Sequence, residues 1–172
     1  SNYKPKFFAS YVALDAEERA RFANPETKTM LIHQVQRMEP SNDTVQNLYF
    51  NHPIKFIASS NAASDNNLVS ITNKVRLEVN GNDITENQIS VPYFTSVTTY
   101  YHTDFSSSTA ESIFFYPFSI NVNRYQMTGT LNFSRISRFR IHCTNNINRP
   151  IYAVNYNFLK IKPRIAGLMY AD

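Results

Sequence analysis

Along most of this chain apolar and polar residues alternate with period two, the pattern of strands that bury one face. Val75, Leu77 and Val79 share one parity against Lys74, Arg76 and Glu78. Phe139, Ile141 and Cys143 do the same against Arg138, Arg140 and His142. Strands are predicted from Thr27 to Met38, where Met30, Ile32, Leu31 and Val35 occupy both parities and imply burial on both faces. VQNLYF and IKFIAS follow as strands on either side of Asn51-His52-Pro53. The stretch Val69 to Val79 is read as a strand ending at the turn Asn80-Gly81-Asn82-Asp83, because Asn-Gly tolerates the positive φ of tight hairpin turns. Ile89 to Tyr101, rich in Val, Thr and Tyr, is predicted as a further strand with Pro92 at its start or on an edge. Ile113 to Val122 is the most apolar strand, and Pro117 inside it implies an edge position or a bulge. Ile151 to Ile161 is the last long strand, and Gly167 precedes an apolar tail.

Only the short stretch between Asp15 and Asn24-Pro25 reads as a helix. Asp15 suits its N-cap with Glu18 three residues on as capping-box partner, and Asn24-Pro25 stops it. Glu17 and Glu18 precede Arg19 and Arg21, an order that suits the helix dipole. Leu14 and Phe22 are the residues expected to pack it. Polar loops are expected at Pro40 to Thr44, Asn61 to Asn67, His102 to Ser112 and Asn145 to Pro150.

Between two of these strands lies Gln126 to Ile136, QMTGTLNFSRI, where one of only three glycines, Gly129, interrupts a run that otherwise favours extension. A glycine there marks a backbone position that a Cβ would not fit, so the segment reads as a structured corner. The count of about eight or nine short strands without a repeating helix points to an all-β antiparallel sandwich preceded by one short connector helix. A jelly roll is the natural candidate, although periodicity alone does not separate it from another sandwich or a barrel.

Composition sharpens this picture. The 172 residues, one domain in size, are enough to bury roughly 70% of the unfolded surface in a single core. Thirteen Phe and eleven Tyr, with no Trp, favour sheet. A net charge of +4 is a modest surplus and reads as a solvated mixed surface. The single Cys143 excludes an internal disulfide and fits a reducing compartment. No apolar stretch approaches the ~20 residues that a spanning helix needs.

The corner Gln126, Thr128, Gly129, Thr130, Leu131, Asn132, Phe133, Ser134, Arg135, Ile136 resembles that of the major capsid proteins of large icosahedral double-stranded DNA viruses, the double jelly-roll family. Met127 stands where the family carries proline and Thr128 where it carries serine. YVALDAEERARFA resembles the family's segment joining the first jelly roll to the second. NLYFNHPIKFI, LEVNGND and YNFLKIKPRIAGLMY resemble later family strands. The resemblance maps residues 1–26 onto an inter-domain linker and 27–172 onto the C-terminal jelly roll, making the chain a piece of a longer one. It further implies homotrimers forming pseudo-hexameric capsomers, and contacts with the first jelly roll and with minor capsid proteins. The shell it implies is icosahedral, built in host cytoplasm around a possible internal membrane, without direct nucleic acid.

Catalysis and cofactors are not expected. His33, His52, His102 and His142 lack the close spacing of a zinc site, and His142 and Cys143, adjacent on a strand, point to opposite faces. Ser134 and Cys143 lack a base and an orienting carboxylate, and the Ser134 hydroxyl is better spent on local backbone. Arg135, Arg138, Arg140 and Arg149, interleaved with Phe133, Phe139 and Tyr152, offer an aromatic-basic surface for nucleic acid, but alternation places Phe133 and Phe139 in the core. The sequons at Asn42 and Asn132 matter only in a secretory pathway. The alternative function is a carbohydrate-binding, lectin-like module for host attachment, with Tyr100, Tyr101 and Phe105 stacking on sugar rings.

Overall fold

A computed structural model describes residues 4, 6–24, 26–60, 68–104, 113–162 and 165–170. The strands are β1 (Lys28–Met38), β2 (Val45–Asn47), β3 (Pro53–Ser60), β4 (Lys74–Val79), β5 (Asn82–Asp83), β6 (Ile89–Ser90), β7 (Ile113–Pro117), β8 (Leu131–Asn132), β9 (Phe139–Cys143), β10 (Ile151–Lys162) and β11 (Ile165–Leu168). They form two antiparallel sheets. The first runs β1-β10-β3-β7, with β11 on β10 and β8 on β3; the second runs β2-β9-β4-β5, with β6 on β4. Pairing is nested: β1 with β10, β2 with β9, β3 with β7 and β4 with β5. Such nesting is a long hairpin rolled up so that β1 to β4 fall alternately in the two sheets, which makes the sandwich a jelly roll.

The period-two pattern decides what lies between the sheets. Ile54, Ile57, Phe114, Ile151 and Ala153 from the first sheet meet Val75, Leu77, Phe139, Ile141 and Cys143 from the second, all buried in one cluster. At about 25 cal/mol per Å² of apolar surface removed from water, each large side chain here contributes roughly 1.5–3 kcal/mol.

Several elements depart from their sequence reading. The expected strand Ile89 to Tyr101 is extended only at Ile89–Ser90; a π-helical turn, Tyr93–Val97, and helix α2, Thr98–His102, replace the rest. Pro92 has helical φ and ψ of −53° and −27° and starts the turn. Thr95, Thr98, Thr99 and Thr103 each donate a hydroxyl hydrogen bond to the carbonyl four residues back, which lets buried threonines sit in a helix. Phe94 stacks on Phe114 at 4.9 Å.

The strand expected over Ile113 to Val122 stops at Pro117, and its sheet position is an edge, as the proline requires. Of VQNLYF only Val45–Asn47 is strand, and Leu48 and Phe50 turn into the core. The Val69 to Val79 strand begins only at Lys74, after a turn.

Strand β1 buries no residue on either face. It is a sheet edge on which Met30 and Val35 are exposed. Helix α1 spans Ala16–Ala23, between the expected Asp15 cap and the stop at Asn24, and carries the full Asp15–Glu18 capping box. It buries nothing: Phe22, expected to pack it, is exposed and lies beside the Lys28 ammonium at 4.6 Å. The loop expected at 61–67 falls outside the described residues, as do Pro25 and residues 105–112 of the loop expected at His102 to Ser112, of which His102 ends helix α2.

Candidate functional site

The Gln126 to Ile136 corner is a clamp built on one glycine. Gly129 has φ of +132°, and a Cβ there would stand 3.0 Å from the Phe118 carbonyl oxygen. This close approach holds the corner against the end of the β7 segment. Thr128 reinforces it: its hydroxyl donates to Asn121 O at 2.9 Å and accepts from Asn121 N at 3.1 Å. Next, the Asn132 side chain accepts from Ser134 N at 3.1 Å, capping the 3-10 turn Phe133–Arg135. Ser134 Oγ accepts from His52 N at 2.8 Å, while Phe133 N donates to His52 O at 3.0 Å. His52, at φ of +68°, is thereby pinned where the chain bends into β3. Phe133 enters the core among Phe50, Phe118 and Phe139, with ring centroids 4.9 to 5.9 Å away.

A second polar assembly backs the same corner. Gln36 grips the Asn51 backbone through both side-chain ends, at 2.7 and 2.9 Å, and donates to Asn155 Oδ1 at 3.0 Å. Asn157 donates to Gln34 at 2.7 Å and holds the Tyr170 backbone through both its amide atoms. Asn155 and Asn157 are fully buried and satisfied, so this amide ladder fixes one register of β1 on β10 and anchors the tail.

On the outer face of the second sheet Glu78 is only 5% exposed although it sits on the polar side of β4. Its carboxylate accepts from Arg140 Nε at 3.0 Å and lies 3.0 Å from His142 Nε2. Arg76 reaches His142 Nδ1 at 3.2 Å and Asp83 at 2.9 Å. Arg140 hydrogen bonding, then His142, holds the Glu78 carboxyl below its ordinary range against the opposing effect of desolvation. Strand alternation had marked these residues only as a solvated side, since their cross-strand pairing is invisible before the register is known.

The residues considered for chemistry are not brought together. Ser134 is occupied with His52. Burial pushes the Cys143 thiol up to about 12 despite a hydrogen bond with Asn73, so it is a packed side chain with almost no thiolate at neutral pH. Among the described residues no group of three His, Cys, Asp or Glu side chains converges on a point that would hold a metal. Arg140 is committed to Glu78, Phe133 and Phe139 are core, and Arg135 and Arg138 are exposed, so no continuous aromatic-basic strip forms from them. No helix among the described residues is long and apolar enough to cross a membrane. A groove of about 270 Å³ follows the corner from Leu48 to Asn51 and from Phe133 to Phe139, without converging ionisable groups.

Two surfaces stand out as unfinished. Phe7 is 94% exposed, and Phe8, Tyr11 and Val12 are bare to a similar degree, an unusual density of apolar surface in water. On α2, Tyr100 and Tyr101 are both exposed and meet edge to face at 5.2 Å.

The family described as large eukaryotic DNA virus major capsid protein matches residues 58–167. The chain belongs to that family. The match contains β4, β7, β9, β10 and the whole Gly129–Ser134 corner. The major capsid protein of Pyramimonas orientalis virus is 28% identical over 194 aligned positions, covering 96% of this chain and 48% of that protein. Among solved structures, the PBCV-1 capsid protein VP54, fitted into a reconstruction of the virophage Sputnik, shares the fold. Its TM-score is 0.75 at 24% identity, over 92% of this chain and 55% of that one. The Faustovirus major capsid protein aligns with TM-score 0.60 at 15% identity, over 87% of this chain and 36% of its own. The chain thus spans about half the length of the first of these relatives.

Proposed function

We propose that residues 27–172 are the second jelly roll of a double jelly-roll major capsid protein and that residues 1–26 are the linker from the first. The observation that carries this reading is the nested β1–β10, β2–β9, β3–β7, β4–β5 roll in a member of the capsid family that covers about half of a relative's length. The bare Phe7, Phe8, Tyr11 and Val12 and the unpacked α1 support the linker assignment, because such a segment becomes stable only against a further surface. The polypeptide would trimerise into a pseudo-hexagonal capsomer and tile an icosahedral virion shell assembled in the host cytoplasm, with minor capsid proteins beneath it. A rigid sandwich suits lateral contacts, while loops at its ends carry variation. The work done is structural: the exposed apolar segments Phe7, Phe8, Tyr11 and Val12 favour association with a further surface.

Light scattering on the full-length polypeptide tests this directly, with a threefold mass expected; a monomer at micromolar concentration overturns the capsomer assignment. The exposed Tyr100–Tyr101 pair favours one second reading, stacking against sugar rings during host attachment. Saturable glycan binding that is lost in a Tyr100→Ala, Tyr101→Ala double variant supports it, and a blank array rejects it.

A further inference from the structure

Across three neighbouring strands of the first sheet, His33 on β1, Tyr156 on β10 and Lys55 on β3 form one row on the outer face. His33 lies opposite Tyr156 in the β1–β10 register, with ring centroids 5.0 Å apart. Lys55 occupies the register shift in β3, where Val154 pairs with Phe56 and Asn155 with Ile54, leaving Lys55 without a cross-strand partner. That extra residue turns its side chain onto Tyr156, placing Nζ 5.3 Å from the ring centroid.

All three members of the row can donate a hydrogen bond, and none of them carries a carboxylate. Lys55 is only 3% exposed and Tyr156 is 0% exposed. Among the described residues the Lys55 ammonium has no carboxylate partner in an ion pair, and the buried Tyr156 hydroxyl has no hydrogen-bond partner. The adjoining outer-face positions, Phe56, Val154 and Val35, are apolar, and the Tyr125 ring lies tilted against His33 with centroids 5.8 Å apart. An enclosed ammonium is ordinarily paired, and a ring face compensates only part of its lost hydration. Consistent with that shortfall, desolvation lowers the Lys55 ammonium, and burial followed by the Lys55 charge lowers His33.

We infer that Lys55, Tyr156 and His33 form a binding site for a single oxyanion of carboxylate or phosphate type, with Lys55 Nζ, Tyr156 Oη and a His33 ring N–H as its three donors. The anion enters from the His33 side, because His33 is the exposed member of the row. Its source is either a free solute anion or an acidic side chain presented by a neighbouring protein surface. The inference does not rest on the capsid assignment.

Titration of this chain with sodium phosphate or sodium acetate, at constant ionic strength against chloride, separates the sources while the Lys55 Nζ and His33 ring resonances are followed by NMR. A saturable shift that is absent in Lys55→Met and about tenfold weaker in Tyr156→Phe supports a free-anion site. A silent titration, together with a carboxylate oxygen within hydrogen-bond distance of Lys55 Nζ in a map of the assembled oligomer, supports the protein-borne source. A silent titration with no oxyanion on Lys55 in that map overturns the inference, as does a Lys55 amine found neutral at pH 7 in both states.

Discussion

Alanine at the three glycines separates what backbone conformation costs from what close packing costs. Gly129→Ala forces a Cβ onto φ of +132° and sets it 3.0 Å from the Phe118 carbonyl oxygen and 3.4 Å from Ser119 Cα. Such a backbone angle costs a side chain roughly 1–3 kcal/mol. Because both contacts are backbone, relief requires the end of the β7 segment to shift, which adds about 1 kcal/mol. The expected total is about 2–4 kcal/mol, or a fall in Tm of roughly 5–15 °C for a chain of this size. Gly81→Ala meets the conformational penalty alone, since φ is +90° and nothing lies within 4 Å, so about 1–2 kcal/mol is expected. Gly167→Ala meets neither and gains about 0.4–1 kcal/mol through the unfolded chain. Urea unfolding of the four proteins, read as midpoints at constant slope, gives the order Gly167→Ala, wild type, Gly81→Ala, Gly129→Ala from most to least stable. If Gly129→Ala costs no more than Gly81→Ala, the clamp against Phe118 is not what requires the glycine.

Other outcomes follow from the same geometry. Ser134→Ala removes the acceptor that Ser134 offers to His52 N–H and is expected to cost about 1–3 kcal/mol in the same unfolding assay. Cys143, with its thiol at about 12 against an ordinary 9.0, should react with a disulfide reagent on the order of a thousandfold more slowly in the folded chain at pH 8 than after guanidinium unfolding; comparable rates would mean that β9 is not packed as described. Glu78 is held below its ordinary 4.5, so the unfolded chain takes up that proton first. Its contribution is whole above about pH 4.5 and is lost as pH falls through the lowered native value. Glu78→Gln should therefore flatten the acid limb of a Tm-against-pH profile, and an unchanged limb would exclude the Arg140 pairing.

Much of the sandwich was legible because alternation is local: Val75, Leu77, Phe139, Ile141 and Cys143 fall on the buried face that their parity implies. The corner was legible for a similar reason, since Gly129 conflicts with its extended surroundings. What failed to show was whatever depends on a partner distant in sequence. The Ile89 to Tyr101 run looks like a strand by composition, and only the carbonyls accepting from its threonines, with the Phe94–Phe114 stack, make it helical. Phe22 and Val35 are apolar and yet exposed, because apolar character alone does not tell a packed face from a sheet edge or an unpacked helix. Glu78 looked like an ordinary solvated charge, and only the register shows that it lies opposite Arg140 and beside His142.

The central claim, that this jelly roll exists to be placed beside copies and pseudo-copies of itself, is tested most directly by a cryo-EM reconstruction of the particle formed by the full-length polypeptide. The expected map holds this sandwich in three of the six lobes of a pseudo-hexagonal trimer, with Phe7, Phe8 and Tyr11 covered by protein. A reconstruction with the sandwich outside the shell lattice, or with the aromatic segment still bare in the assembled particle, would contradict it.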